Sequence, residues 1–167
     1  MGVPSRSLSL NGLGPEGAAA LAPGIAANGV LTSISLLRNK FDKEAVQMFL
    51  QVKADKPNLR TLCGLMHNET QLNYEYQSLG PADAMLLAPE IAVMGSLTTV
   101  RTPGHTLFRS PSLPDCSLSG MVHGSQLDLS NNEICGIDIF GNGTYTTEGI
   151  TAISDALRVN GSLTSLA

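Results

Sequence analysis

Four short segments of the chain echo one another: Asn28–Ile34 (NGVLTSI), Lys56–Leu62 (KPNLRTL), Met94–Val100 (MGSLTTV) and Asn160–Leu166 (NGSLTSL). In each, two aliphatic residues stand three apart behind a lead-in that contains a turn-forming residue. Self-similarity of this kind constrains a fold more than any other feature of the sequence, because a unit too short to bury its own apolar face must stack on its neighbours. The first echo extends to Leu31–Phe41 (LTSISLLRNKF), where Leu31, Ile34, Leu36, Asn39 and Phe41 occupy the positions of the frame L-x-x-L-x-L-x-x-N-x-L. Imperfect versions follow at Leu8 and Leu10, at Leu72 and Tyr74 with Leu79, and at Leu127–Ile134 (LDLSNNEI).

Between these strand-like cores lie stretches with helical spacing. In Glu16–Asn28, Leu21 and Ile25 are four apart and share a face; Glu44–Lys53, Ala82–Val93 and Glu148–Val159 read the same way. Pro23 and Pro89 oppose a helix, yet LAPGI and LAPEI repeat one placement, so the proline is read as a feature of the unit. Three stretches end in a glycine turn signal, at Asn28-Gly29, Met94-Gly95 and Asn160-Gly161, and the other runs out at Pro57.

On these residues the chain resembles the leucine-rich repeat family. A strand plus a long helix in about 28 residues resembles its ribonuclease-inhibitor-like subclass, also found in cytosolic immune receptors. The resemblance implies an α/β fold: a leucine-rich repeat solenoid with short parallel strands on the concave side and helices on the convex side, interrupted by an irregular loop. Units start at Ser5, Leu31, Leu59, Glu69, Leu97, Gly124 and Leu163. The short step from Leu59 to Glu69 has no room for a helix, so Leu59–Leu65 and Leu72–Tyr76 are expected as adjacent strand-like rungs. Residues 102–123, rich in proline and serine, are expected to form a flexible loop in place of a helix. The expected organisation is a repeat block over 1–101, that loop over 102–123, and a second block over 124–167 with an insertion at 135–146. The asparagines of the frame, Asn39 and Asn132, are expected to satisfy backbone groups in the bend. No polar cap is evident at either end, which points to a fragment or to ends capped by contact with another chain.

Composition removes several functions. Ten basic residues stand against 14 acidic ones, and no basic run occurs, so a nucleic-acid partner is not expected. Trp is absent and aromatics are 4%, which leaves a core of Leu, Ile, Val and Ala. Cys63, Cys116 and Cys135 have no paired spacing, and no signal peptide or apolar span of about 20 residues is present, so a cytoplasmic chain with no membrane association is expected. The sequons at Asn68, Asn142 and Asn160 are then coincidental.

No constellation points to chemistry. Asp138, Asn142, Thr144 and Glu148 lie around Gly143 as in a calcium loop, but Phe140 occupies a ligand position and the acid is one residue early. His105, Cys116 and His123 have no zinc-ligand spacing. There is no G-x-S-x-G element and no phosphate loop. Neither enzyme activity, cofactor nor metal is expected.

The function that follows from the resemblance is a protein–protein interaction module that holds another protein on the concave strand surface. The residues expected there are Ser33, Ser35, Arg38, Asn73, Glu75, Tyr76, Thr99, Arg101 and Asp128. Tyr76 is the expected hot spot, since aromatic anchors dominate interface energy. The alternative is a fragment or decayed repeat array with a structural role only. A GTPase-activating regulator of the Ran type, which shares the subclass, ranks below both because no specific motif of it is present.

Overall fold

A computed structural model describes residues 5–97, 99–101, 126–129, 131–138, 140–162 and 165–166. Its elements in chain order are β1 (Ser5–Ser7), α1 (Gly14–Ala27), β2 (Ser33–Ser35), α2 (Lys43–Ala54), β3 (Leu72–Asn73), α3 (Pro81–Val93), β4 (Thr99–Arg101), β5 (Gln126–Asp128), α4 (Glu148–Val159) and β6 (Ser165–Leu166). The four helices fall where the apolar spacing places them.

Each helix has a local reason for its limits. In α1, Pro15 pre-sets the first turn, and Ala18, Ala22 and Ile25 form the buried stripe. Asp42 caps α2 by accepting a hydrogen bond from Ala45 N at 2.8 Å, and Ala45, Val46 and Phe49 turn inward. The Phe41 and Phe49 rings meet at 5.1 Å between centroids, tilted by 54°. Helix α3 begins at Pro81, and Asp83 Oδ2 accepts from Gly80 N at 3.0 Å. Pro23 and Pro89 sit inside their helices on exposed positions, where the carbonyl each leaves without a donor can meet water.

The helices lie side by side in chain order, α1 on α2, α2 on α3 and α3 on α4. Because α3 has a neighbour on each flank, it buries seven side chains, among them Asp83 and Glu90. Close packing of α3 on α4 depends on Gly149, where a Cβ would stand 2.4 Å from Ile134 O and 2.9 Å from Pro81 Cα. The core is one cluster of small aliphatic layers joined by Phe41 and Phe49. Leu36, Leu62, Leu79, Leu86, Leu87, Leu97, Leu127 and Leu129 are all fully buried in it, each contributing about 1.5–3 kcal/mol.

The strands overturn the expected leucine-rich repeat solenoid. The described residues form a mixed helix and strand fold with two separate small parallel sheets, β1-β2 and β3-β5-β4-β6. A solenoid requires each strand to pair with those before and after it in the chain. Here β5 is inserted between β3 and β4, while β2 and β3 belong to different sheets. The strands are only two or three residues long, so they supply few ladder bonds. The two expected rungs, Leu59–Leu65 and Leu72–Tyr76, each have a strand neighbour among the described residues. The first segment lies along β2, through the Ser33–Thr61 bridge and the bond from Leu36 N to Leu62 O, whereas β3 pairs with β5. The expected loop over 102–123 lies outside the described residues.

Candidate functional site at three helix starts

The bends that follow the strands are built from buried polar side chains. Asn39, fully buried, donates through Nδ2 to the carbonyls of Leu8 and Leu36 at 2.9 and 2.8 Å, and its Oδ1 accepts from Asn11 N at 3.1 Å. Asn132 repeats this, donating to Tyr74 O and Leu129 O and accepting from Leu79 N. Both asparagines therefore satisfy bend backbone as their position in the sequence frame implies.

The bend after Leu59 has no asparagine, and Glu90 of α3 serves it instead. Its fully buried carboxylate accepts from Lys53 Nζ at 2.9 Å and Leu62 N at 2.8 Å on Oε1, and from Thr61 Oγ1 at 2.5 Å and His67 Nε2 at 2.9 Å on Oε2. Thr61 Oγ1 in turn accepts from Cys63 N and Leu65 N. Burial pushes the Cys63 thiol well up, and burial, with the Cys63, Glu90 and Glu69 charges behind it, raises the Tyr74 phenol. Sequence reasoning missed Glu90. The available signal was its spacing from Leu86 and Leu87, which puts a carboxylate on the buried face of α3.

Beside these bends lies a cleft of about 680 Å³. It is lined by Leu10, Arg38, Lys40, Phe41, Asp42 and Lys43, by Ser78, Gly80, Pro81, Ala82, Asp83 and Met85, and by Glu133, Thr146 and Glu148. The starts of α2, α3 and α4 all border it. Leu10, Phe41, Pro81, Ala82 and Met85 make its apolar surface, and charges of both signs make its rim. A Lys43–Glu148 ion pair at 2.9 Å, between side chains that are 46% and 42% exposed, ties the start of α2 to that of α4. Asp83 Oδ1 accepts from Arg38 N at 2.6 Å; burial nevertheless holds this carboxyl above its ordinary value, against the lowering effect of the Arg38 and Gly80 N–H groups and the Arg38 charge.

The cleft walls concentrate unusual backbone. Seven non-glycine residues have positive φ among the described residues, and four of them, Leu10 at 64°, Arg38 at 64°, Lys40 at 57° and Ser78 at 51°, line the cleft. A left-handed non-glycine residue is uncommon and costs about 1–2 kcal/mol. Two buried polar atoms in the same walls, Arg38 Nε and Thr146 Oγ1, have no hydrogen-bond partner among the described residues.

The nine residues expected on one strand surface are distributed as follows. Ser33 and Ser35 are partly buried on β2 of the first sheet. Asn73, Asp128 and Arg101 stand in register on β3, β5 and β4 of the second, with Thr99 two residues before Arg101. Asn73 Oδ1 accepts from Glu75 N, and Glu75 Oε1 accepts from Asn131 Nδ2. Asp128 is buried. Arg38 donates through Nη1 to Gln77 Oε1 at 2.9 Å and borders the cleft. Tyr76 is 69% exposed at a positive-φ bend. The set is thus divided between two sheets and the bends that follow their strands, and only Arg38 among them lines the cleft.

Within 135–146 the described residues close on one another, through the bond from Thr146 N to Cys135 O and the Ile137–Gly143 bridge. Asp138 accepts from Phe140 N, Asn142 N and Asn142 Nδ2, and the Asn142 side chain is the main cause of its carboxyl lying below its ordinary value. Of the oxygens that a calcium loop would present to the ion, those bonds engage the Asp138 carboxylate. Among the described residues no three His, Cys, Asp or Glu side chains group so as to hold a metal ion, and His105, Cys116 and His123 lie outside the described residues. Among the described residues no helix is long and apolar enough to cross a membrane.

No family model, curated protein or solved structure matches the chain.

Proposed function

We propose that the chain is a cytoplasmic protein-binding module, without chemistry of its own, that holds an extended segment of a partner protein in the cleft at the starts of α2, α3 and α4. The observation that carries this reading is the gathering of four strained backbone positions in the cleft walls. Strain is retained where a site needs a particular shape, and it collects at ligand clamps. The lining chemistry selects the partner class. An apolar surface with Arg38, Lys40 and Lys43 opposed by Asp42, Asp83, Glu133 and Glu148 suits a polypeptide, which offers apolar side chains and both kinds of hydrogen-bonding group. The four carboxylates disfavour a phosphate backbone. Tyr76, exposed one bend away, adds an aromatic contact at the flank.

The test is a photo-cross-linking residue at Met85, half-buried in the wall, followed by identification of the adduct and titration with the purified partner. Arg38→Ala should weaken binding about tenfold or more, and Tyr76→Ala should weaken it too, while Gln47→Ala on the exposed side of α2 should not. A Met85 position that yields no polypeptide adduct, or an Arg38→Ala chain that binds as wild type, overturns the reading.

A further inference from the structure

Four asparagines are followed by glycine: Asn11, Asn28, Asn142 and Asn160. Such a pair can react with itself, because no Cβ on the glycine shields its nitrogen from the asparagine side-chain carbon. The structure separates the four by what holds the side-chain amide. Asn11 Nδ2 donates to Leu8 O and Ser9 O at 2.7 and 3.1 Å. Asn160 is buried, and its Nδ2 donates to Ile91 O and Met94 O. Asn142 Nδ2 donates to Asp138 Oδ2 at 3.0 Å, while Asn142 N donates to Asp138 Oδ1. In all three the amide nitrogen is fixed, and donation to an acceptor leaves it a poorer leaving group.

Asn28 is arranged the other way. Its Nδ2 makes no hydrogen bond among the described residues, and its Oδ1 accepts from Val30 N at 3.0 Å and Leu31 N at 2.9 Å. Two backbone N–H groups on one carbonyl oxygen stabilise the negative charge that grows there when its carbon is attacked. The attacking group is activated as well. Lys56 Nζ donates to the main-chain oxygen of Asn28 at 2.6 Å, and that carbonyl shares its peptide group with the Gly29 N–H. An ammonium on the oxygen withdraws electron density from the peptide group and makes the N–H more acidic. Residues 28–30 are exposed, and a Cβ on Gly29 would meet nothing within 4 Å. The backbone therefore has room to turn from its ψ of 108° and bring Gly29 N onto Cγ, with water at hand.

We propose that Asn28 is a site of spontaneous intramolecular modification, in which Gly29 N closes on Asn28 Cγ to a succinimide that water opens to aspartate or isoaspartate. The Gly29 N–Cγ bond forms, the Cγ–Nδ2 bond breaks, and ammonia leaves with the proton of Gly29. One water then adds across either imide C–N bond. Opening at Cγ gives aspartate with the normal chain; opening at the main-chain carbonyl routes the chain through the side chain. Nothing is oxidised or reduced. Either product puts a negative charge at the C-terminal end of α1, the unfavourable end of the helix dipole, with Lys56 in place to offset it.

The experiment is incubation of the full chain at mildly alkaline pH, with peptide mass spectrometry and fragmentation that distinguishes isoaspartate. Asn28 should convert about tenfold faster than Asn11, Asn142 or Asn160, the factor that a barrier lower by about 1.4 kcal/mol gives. In guanidinium chloride the four rates should converge. Gly29→Ala, which meets no steric obstacle, should suppress conversion at Asn28. Lys56→Met should slow Asn28 several-fold and leave Asn142 unchanged, its fold being checked by circular dichroism. Faster conversion at any of the other three asparagines in the folded chain, or a Lys56→Met rate equal to wild type, overturns the assignment.

Discussion

Replacing Glu90 by alanine should be among the most damaging single changes outside the apolar core, and the cost can be worked from its partners. The fully buried carboxylate accepts four hydrogen bonds, and the donors are not equal once it is gone. The Lys53 and His67 side chains are 22% and 23% exposed and can turn to water, so each loses about 0–1 kcal/mol, as a screened pair does. Leu62 and Thr61 are 0% and 1% exposed, and their N–H and hydroxyl lie beyond the reach of water. Each left unpaired costs about 1–3 kcal/mol. The vacated volume adds about 1 kcal/mol. The sum is about 3–9 kcal/mol, comparable with the whole stability of many small domains. Glu90→Gln keeps an acceptor for Leu62 N and most of the volume, and should lose only about 1–2 kcal/mol. Denaturant unfolding followed by circular dichroism, suited to a chain with no Trp, measures both. An alanine variant within about 1 kcal/mol of wild type, or a glutamine variant equally damaged, would refute the reasoning.

Asn39→Ala should cost about 1–3 kcal/mol by the same assay, because its amide serves the carbonyls of Leu8 and Leu36 and the N–H of Asn11; an unchanged midpoint would remove that role. Gly149→Ala should destabilise by about 1–3 kcal/mol, although alanine is the better helix former, since its Cβ would strike the backbone at Ile134 and Pro81; a stabilised variant would mean α3 and α4 can separate freely. Asp83 gives a signed pH dependence. Its carboxyl is raised by burial, so the folded chain holds the proton more tightly than the unfolded one, and this contribution to stability is present below the unfolded pKa and lost as pH rises through the folded one. Compared with Asp83→Asn across the acidic range, wild type should therefore lose ground as pH increases. Wild type gaining on the variant would reverse the sign.

Much of the local structure was legible in the sequence. The helices were marked by apolar residues four apart and closed by Asn-Gly, Met-Gly or proline, and these signals act within a few residues of themselves. The role of Asn39 and Asn132 was legible too, because a polar side chain in an apolar frame has to serve backbone nearby. The candidate site was legible only in Arg38. The cleft is made where residues 38–43, 78–85 and 133–148 meet, and no periodicity within one segment reports that meeting. Glu90 escaped notice because its principal partner segment lies some 28 residues earlier in the chain.

The sequence by itself determined the four helices, the short strand cores between them and a core of small aliphatic layers, since propensity, apolar spacing and turn chemistry are local properties. Tertiary structure alone decided which strand pairs with which. Strands of two or three residues carry too little register information to choose their neighbours, so the order β3-β5-β4-β6 rests on long-range contacts such as the packing of α3 on α4 and the bonds of Asn132 to Tyr74 and Leu79.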